Sequence, residues 1–117
     1  MGFRAGASAD SLADALEKAS GGLRPDVLAI LADRARSPIL ARFAASLALP
    51  IIAIPRETLA GIGTVTYSPR VHAMLGTGSA AEALALAALA PGGRLIAPRA
   101  LSQDRFASAA IAEGEQA

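Results

Sequence analysis

The stretch GTGSAAEALALA, Gly76–Ala87, places two glycines and two hydroxyls directly ahead of an alanine-rich run with one carboxylate near its start. The run predicts a helix from about Ser79 to Ala90, stopped by Pro91-Gly92-Gly93. Ser79 and Glu82 have the S-x-x-E spacing of a capping box. In that motif the serine hydroxyl accepts from the backbone N–H three residues on, and the glutamate reaches back to the serine N–H. This reading needs no ligand, but it does not account for the glycines. Gly76 and Gly78 let the backbone take positive φ or approach a neighbour closely. Free N–H groups of Thr77, Gly78 and Ser79 at a helix start would favour an anion.

GTGSAA also fits the relaxed dinucleotide pattern G-x-G-x-x-A, so a nucleotide-binding Rossmann-type enzyme is a second reading. Two features stand against it. The preceding SPRVHAML begins like a helix rather than a strand, and no acid lies about twenty residues on to hold a ribose.

Working outward, Ser8 predicts the start of a helix running to about Ser20, with Asp10 in its first turn and Gly21-Gly22 at its end. DVLAILA (Asp26–Ala32) and PIIAIP (Pro50–Pro55) are short apolar runs suited to strands buried on both faces. Between them SPILARFAASLAL opens on Ser37 and Pro38, a helix start that Ser68-Pro69 repeats. RETLAG reads as one helical turn, RLIAP as a strand and RFASAAIA as a weak final strand. Met1 to Ala7 reads as the end of a strand or a loop. Strands alternating with helices predict one α/β domain over 1–117. The expected form is a three-layer α/β/α sandwich about a mostly parallel or mixed central sheet.

Composition narrows the function classes. The 117 residues are 53% hydrophobic but only 3% aromatic, which argues against base-stacking on single-stranded nucleic acid or RNA. Eleven basic against ten acidic side chains give no field for wrapping DNA or steering to a membrane. Lys18 is the only lysine. The excess of arginine fits a genome-composition bias, and it also fits guanidinium recognition of carboxylate or phosphate. With no cysteine and one histidine, thiolate sites, a cysteine nucleophile and a protein-built zinc centre are not expected. No cofactor is implied. The N-terminus lacks the apolar core of a leader and no run is long enough to span a bilayer, so the cytoplasm is the expected location.

Other candidate residues lie where apolar segments end. Asp33 follows the first buried run, Arg99 follows LIAP, and Arg4 sits between Gly2 and Gly6. Each is suited either to a ligand or to plain solvation. His72, among Val71, Met74 and Leu75, is expected to be partly buried on its helix. No nucleophile–base–acid order or close carboxylate pair suggests a catalytic apparatus.

The order of motifs resembles a known family. GFRAGAS, LADRARSP, LALPIIAIP, SPRV, GTGSAAEALALAA, RLIAPR and FASAAIA together are similar to the cobalamin-biosynthesis family of CobE and the CbiG C-terminal domain. Its most specific element, G-x-x-S-[VA]-A-E-A, is matched by Gly76, Ser79, Ala80, Ala81, Glu82 and Ala83. Gly2-Phe3-Arg4 with Gly6, Pro98-Arg99 and the pattern from Ala107 to Ala112 support it. A chain of this length resembles the stand-alone, CobE-like form. The lactone-opening activity belongs to an N-terminal domain of the longer CbiG proteins and is not carried over.

There are three departures from the family pattern. The family enters Gly-x-Gly-Phe-Arg from an apolar first strand, most of which is not represented ahead of Met1-Gly2. Ala35 stands where a lysine is frequent, flanked by Arg34 and Arg36. Ala80 replaces a valine. The resemblance implies work on the corrin ring, with a corrinoid or tetrapyrrole intermediate as partner and other corrin-pathway enzymes as further partners. A non-catalytic scaffold subunit is the other reading kept. Such an intermediate is a broad apolar macrocycle bearing acetate and propionate carboxylates. Arg4, Asp33, Gly76, Thr77, Gly78, Ser79, Glu82 and Arg99 are therefore the expected ligand-binding set. In an α/β sheet the crevice beyond the strands' carboxyl ends is the usual binding place. Arg4, Asp33, Thr77 to Ser79 and Arg99 are accordingly expected to share one rim.

Overall fold

Serine hydroxyls start all four helices of the computed structural model, which describes residues 1–117. Ser8 caps α1 (Ala9–Ser20), Ser37 caps α2 (Pro38–Leu47), Ser68 caps α3 (Pro69–Leu75) and Ser79 caps α4 (Ala80–Ala87). In each case the hydroxyl accepts a backbone N–H of the first turn, which would otherwise lack a partner. Proline at the first position of α2 and α3 gives up no hydrogen bond there. The reciprocal capping box belongs to α1, where the Ser8 and Ser11 side chains and backbones exchange bonds of 3.1 and 3.2 Å. Left-handed residues end three of the helices: Gly21 (φ 57°), Ala48 (φ 54°) and Gly76 (φ 73°).

The predicted strands form, but not as one sheet. β1 (Gly2–Phe3) and β4 (Arg94–Leu101) flank β5 (Ala107–Glu113) in an antiparallel, three-stranded sheet. β2 (Leu28–Leu31) and β3 (Ile51–Ile54) make a separate parallel pair. The fold is a mixed α/β one, with its parallel ladder confined to β2 and β3. β1, two residues long, pairs with β5 and makes no ladder with β2. Its one link to β2 is the Met1 amine, which donates to the Ala29 carbonyl at 2.8 Å. That amine is buried, and burial pushes its pKa down to about 5.

β2 sends alternate side chains into two cores. Leu28 and Ile30 pack with Leu12 and Leu16 of α1, Leu40 and Phe43 of α2, and Ala107 and Ala109 of β5. Ala29 packs with Ala83 and Leu84 of α4 and with Ala88 just beyond it, together with Ile54 and Leu59. The thin alanines let α4 lie close against the strands. A turn of 3-10 helix follows each of these strands, Ala32–Arg34 after β2 and Arg56–Leu59 after β3.

β4 and β5 are joined by a turn that Asp104 organises. Its carboxylate accepts from the Ser102 hydroxyl (2.6 Å), the Ser11 hydroxyl of α1 (2.5 Å) and the Phe106 N–H (3.0 Å). Those bonds hold the Asp104 pKa down to about 2. Two expectations are corrected. α4 ends at Ala87 because residues 88–90 are drawn into the C-terminal tail, with the Ala90 N–H on the Glu115 carbonyl and the Ala117 N–H on the Ala88 carbonyl. His72 is exposed, its ring 5.6 Å from that of Tyr67, because α3 is a short surface helix with no buried residue.

Ala48 is an exposed non-glycine residue in the left-handed region, a conformation that strains any Cβ. Ala48→Gly is therefore expected to stabilise the fold by about 1 kcal/mol. Ala41→Gly, on an exposed position inside α2, should cost a similar amount. Urea unfolding midpoints of the two variants check both signs.

Candidate functional site

The glycine-rich stretch forms an internal latch. Ser79 accepts the Glu82 N–H at 3.3 Å, the first half of the expected capping box. The second half is absent, because the Glu82 carboxylate does not turn back to Ser79. One oxygen accepts the N–H groups of Val65 (2.6 Å) and Thr66 (3.2 Å). The other accepts the Thr66 hydroxyl (2.6 Å) and the Arg99 N–H (3.0 Å). Burial alone would raise the Glu82 pKa, but the bonds from Thr66, Arg99 and Val65 outweigh it and hold it below the ordinary carboxylate value.

The Arg99 N–H is free for this bond because β4 bulges on either side of Ala97 in its pairing with β5. Pro98, which has no N–H to give a ladder, sits in the second irregularity. Gly78 lets the 64–66 segment close over the loop, since a Cβ there would come within 2.5 Å of the Thr64 hydroxyl and 2.8 Å of the Thr66 carbonyl. Gly76 ends α3, and the Thr77 hydroxyl donates to the Ile62 carbonyl at 2.6 Å. Thr77, Ser79 and Glu82 are at most 2% exposed. A helix, α3, leads into the loop, so the strand–turn–helix arrangement of a dinucleotide site is not formed.

An open cleft of about 400 Å³ lies beyond the carboxyl ends of β1, β2 and β3. Ile30, Leu31 and Leu84 give it an apolar floor, and Phe3, Met74 and Ala80 stand along its wall. Its polar groups come from the turns after β2 and β3. Arg56 lays Nε and Nη2 on one oxygen of Asp33, at 3.2 and 2.6 Å. Both partners are about half exposed, so the pair contributes little to stability. It does orient the guanidinium, leaving Nη1 uncommitted. The Arg34 guanidinium lies 5.9 Å from the Phe3 ring centroid, a cation–π arrangement, and makes no hydrogen bond to the protein. The cleft thus presents two arginines above an apolar base.

Of the residues singled out from the sequence, Asp33 alone lines this cleft. Arg4 is exposed and rests 5.2 Å from the Phe106 ring, Arg99 lies within β4, and Gly76 to Ser79 and Glu82 belong to the latch. Arg4, Arg99 and Thr77 to Ser79 are not among the residues that line the cleft with Asp33. Phe3, Arg34, Arg56 and Met74 line the cleft and were not among the residues expected from the sequence to bind a ligand. A signal existed for Arg56, which follows the apolar run PIIAIP as directly as Asp33 follows the earlier one. No group of three or more histidine, cysteine, aspartate or glutamate side chains is placed to hold a metal ion, and no helix is long and apolar enough to cross a membrane.

Comparison with known proteins gives consistent matches. Residues 1–112 match the family model described as cobalamin synthesis G C-terminus. The crystal structure of CobE, a protein from the cobalamin (vitamin B12) biosynthetic pathway, is similar at a TM-score of 0.80 and 30% identity, over 99% of this chain and 88% of that one. The cobalamin biosynthesis protein chiG from Agrobacterium tumefaciens str. C58 is similar at a TM-score of 0.68 and 31% identity, over 97% and 94% of the two chains. Among curated proteins none matches.

The latch has a defined response to acid. Because the folded Glu82 pKa lies below its unfolded value, its contribution is present above the unfolded pKa and is lost as pH falls through the folded one. Glu82→Gln places an amide N–H₂ among donors and should destabilise the protein by about 3 kcal/mol at neutral pH. It should also flatten the stability profile below about pH 4.5 relative to the parent. Urea unfolding measured from pH 3 to 7 for both proteins checks the sign and the window.

Proposed function

This chain belongs to the cobalamin synthesis G C-terminus family and so to cobalamin biosynthesis, and from that premise we propose that it binds a corrin-ring intermediate of the precorrin or hydrogenobyrinic acid type. The cleft beyond β2 and β3 is the binding place in this reading. The observation that carries it is the pairing of apolar side chains, Ile30, Leu31 and Leu84, with the guanidinium groups of Arg34 and Arg56 in one cleft. A macrocycle with carboxylates round its edge is apolar across its face and anionic at its rim. The floor covers part of the face, and the arginines meet the rim.

Asp33 would repel a carboxylated ligand if it stood alone. Held on Arg56 it acts as an orienting group, fixing the fork so that Nη1 points to the ligand rather than sampling rotamers. The polar side chains of the cleft are Asp33, Arg34 and Arg56, which include no nucleophile set beside a base. This favours holding or presenting the intermediate over converting it. A scaffold role towards other corrin-pathway enzymes draws on a different observation, the burial of Ser79 and Glu82 in a latch. In that reading the strongest sequence motif serves folding alone.

Corrinoids absorb visible light, which makes binding directly readable. Titration with hydrogenobyrinic acid is expected to shift its visible bands to a saturating end point. Arg56→Ala should weaken binding about tenfold, the lower end for a charge-assisted hydrogen bond because the site is half exposed. Arg94→Ala, which removes a surface pair with Glu113 outside the cleft, should leave binding unchanged. No spectral shift, or equal losses in the two variants, rejects the reading in favour of the scaffold role.

A further inference from the structure

The cleft is small for a corrin-ring intermediate. Its volume of about 400 Å³ is near the lower end of the range that encloses a drug-sized molecule. A macrocycle with carboxylate arms is larger than such a molecule. One edge of it fills the cleft, and the rest lies across the adjoining surface. Met74, itself exposed, stands on the cleft wall and belongs to α3, so α3 provides that surface.

α3 buries none of its residues, and only the partly buried Leu75 packs against a core. It is nevertheless tied down at both ends. The Ser68 N–H donates to the Gly78 carbonyl at 2.8 Å, and the Gly61 N–H donates to the Gly76 carbonyl at 2.9 Å. In the loop that leads to α3, Ile62 is held by the Thr77 hydroxyl, and Val65 and Thr66 are held by the Glu82 carboxylate. Core packing does not account for these bonds. What they fix is the position of an exposed helix beside the cleft.

On that helix Arg70 precedes Met74 by four residues, so the two share a face. Arg70 is exposed and enters none of the ion pairs of the fold, which join Lys18 to Asp14, Arg56 to Asp33 and Arg94 to Glu113. It is also the only lysine, arginine, aspartate or glutamate between Gly61 and Gly78, so no acidic neighbour along the segment competes for it. We propose that Arg70 is a specificity-determining residue, which takes a carboxylate of the same ligand whose other carboxylates meet Arg34 and Arg56. The proposal rests on the corrinoid reading of the cleft. The ligand then reaches from the cleft to α3 across Met74, whose flexible thioether chain adapts to a ring edge. A guanidinium fork favours a carboxylate over a neutral arm. Three of them on two sides of the ligand read the spacing of its carboxylates as well as their charge.

The test titrates hydrogenobyrinic acid into the parent and into Arg70→Ala, Arg70→Glu, Arg70→Lys, Arg56→Ala and His72→Ala, and follows the visible bands. Arg70→Ala should weaken binding about fivefold, less than Arg56→Ala because Arg70 stands in solvent. Arg70→Glu should weaken it further, and Arg70→Lys should restore part of the loss by keeping the charge without the fork. His72, two residues before Met74, lies off the face that Arg70 and Met74 share, so His72→Ala should bind as the parent does. Thermal midpoints of the Arg70 variants should match the parent, since the side chain holds nothing in the fold. If the parent binds and Arg56→Ala weakens it while Arg70→Ala and Arg70→Glu do not, the role of Arg70 is overturned and the cleft reading stands. An equal loss in His72→Ala, or a loss matched by a lower midpoint, also overturns it. No binding by the parent overturns both readings.

Discussion

A single buried carboxylate joins the parts of this molecule. Glu82 projects from the first turn of α4 and takes hydrogen bonds from the segment ahead of α3 and from β4, elements that follow different paths along the chain. A carboxylate without partners in such a place would be protonated or would unfold its surroundings. With its donors in place it stays ionised and fixes where α4 lies. α4 borders both the cleft, through Ala80 and Leu84, and a second opening between β2 and β5, through Ala85. The latch therefore sets the shape of both openings without facing either as a ligand group.

The strands divide between two sheets. β2 and β3 pair in parallel along four residues, and β4 and β5 pair in antiparallel fashion through two irregularities. Between them stands β1, with two residues in the ladder and one amine reaching across. The hydrophobic cores do not divide in the same way, since Leu28 and Ile30 share a core with Ala107 and Ala109. Side-chain packing spans a distance that backbone hydrogen bonding does not. The sheet is open along its middle while the core beneath it is continuous.

The candidate cleft reflects a division of labour between scaffold and turns. β2 and β3 are apolar, and each runs into a short 3-10 turn. Arg34 and Arg56 stand in those turns, and Asp33 ties one turn to the other. This satisfies the general rule for α/β folds, in which loops diverging at strand ends make the crevice. The chemistry presented is two guanidinium groups beside aliphatic side chains.

Local signals were legible in the sequence. Ser-Pro pairs marked the starts of α2 and α3, Gly21 marked the end of α1, and β2 and β3 were readable as short apolar runs; β2 is buried as expected, whereas in β3 only Ile54 is buried and Ala53 is exposed. The motif order carried the family as well. What the sequence could not reveal was the partner of each polar group. Glu82 has the spacing of a capping residue, yet its carboxylate goes to Val65, Thr66 and Arg99, residues 16 or 17 positions away. Arg99 was expected at a strand end; it lies within β4, and its backbone N–H serves the latch. Asp33 and Arg56, 23 positions apart, meet only because β2 and β3 lie side by side. Capping and turn chemistry act over three or four residues and are written in adjacent letters. Burial and long-range hydrogen bonding depend on which segments pack together, and that was decided by the tertiary structure alone.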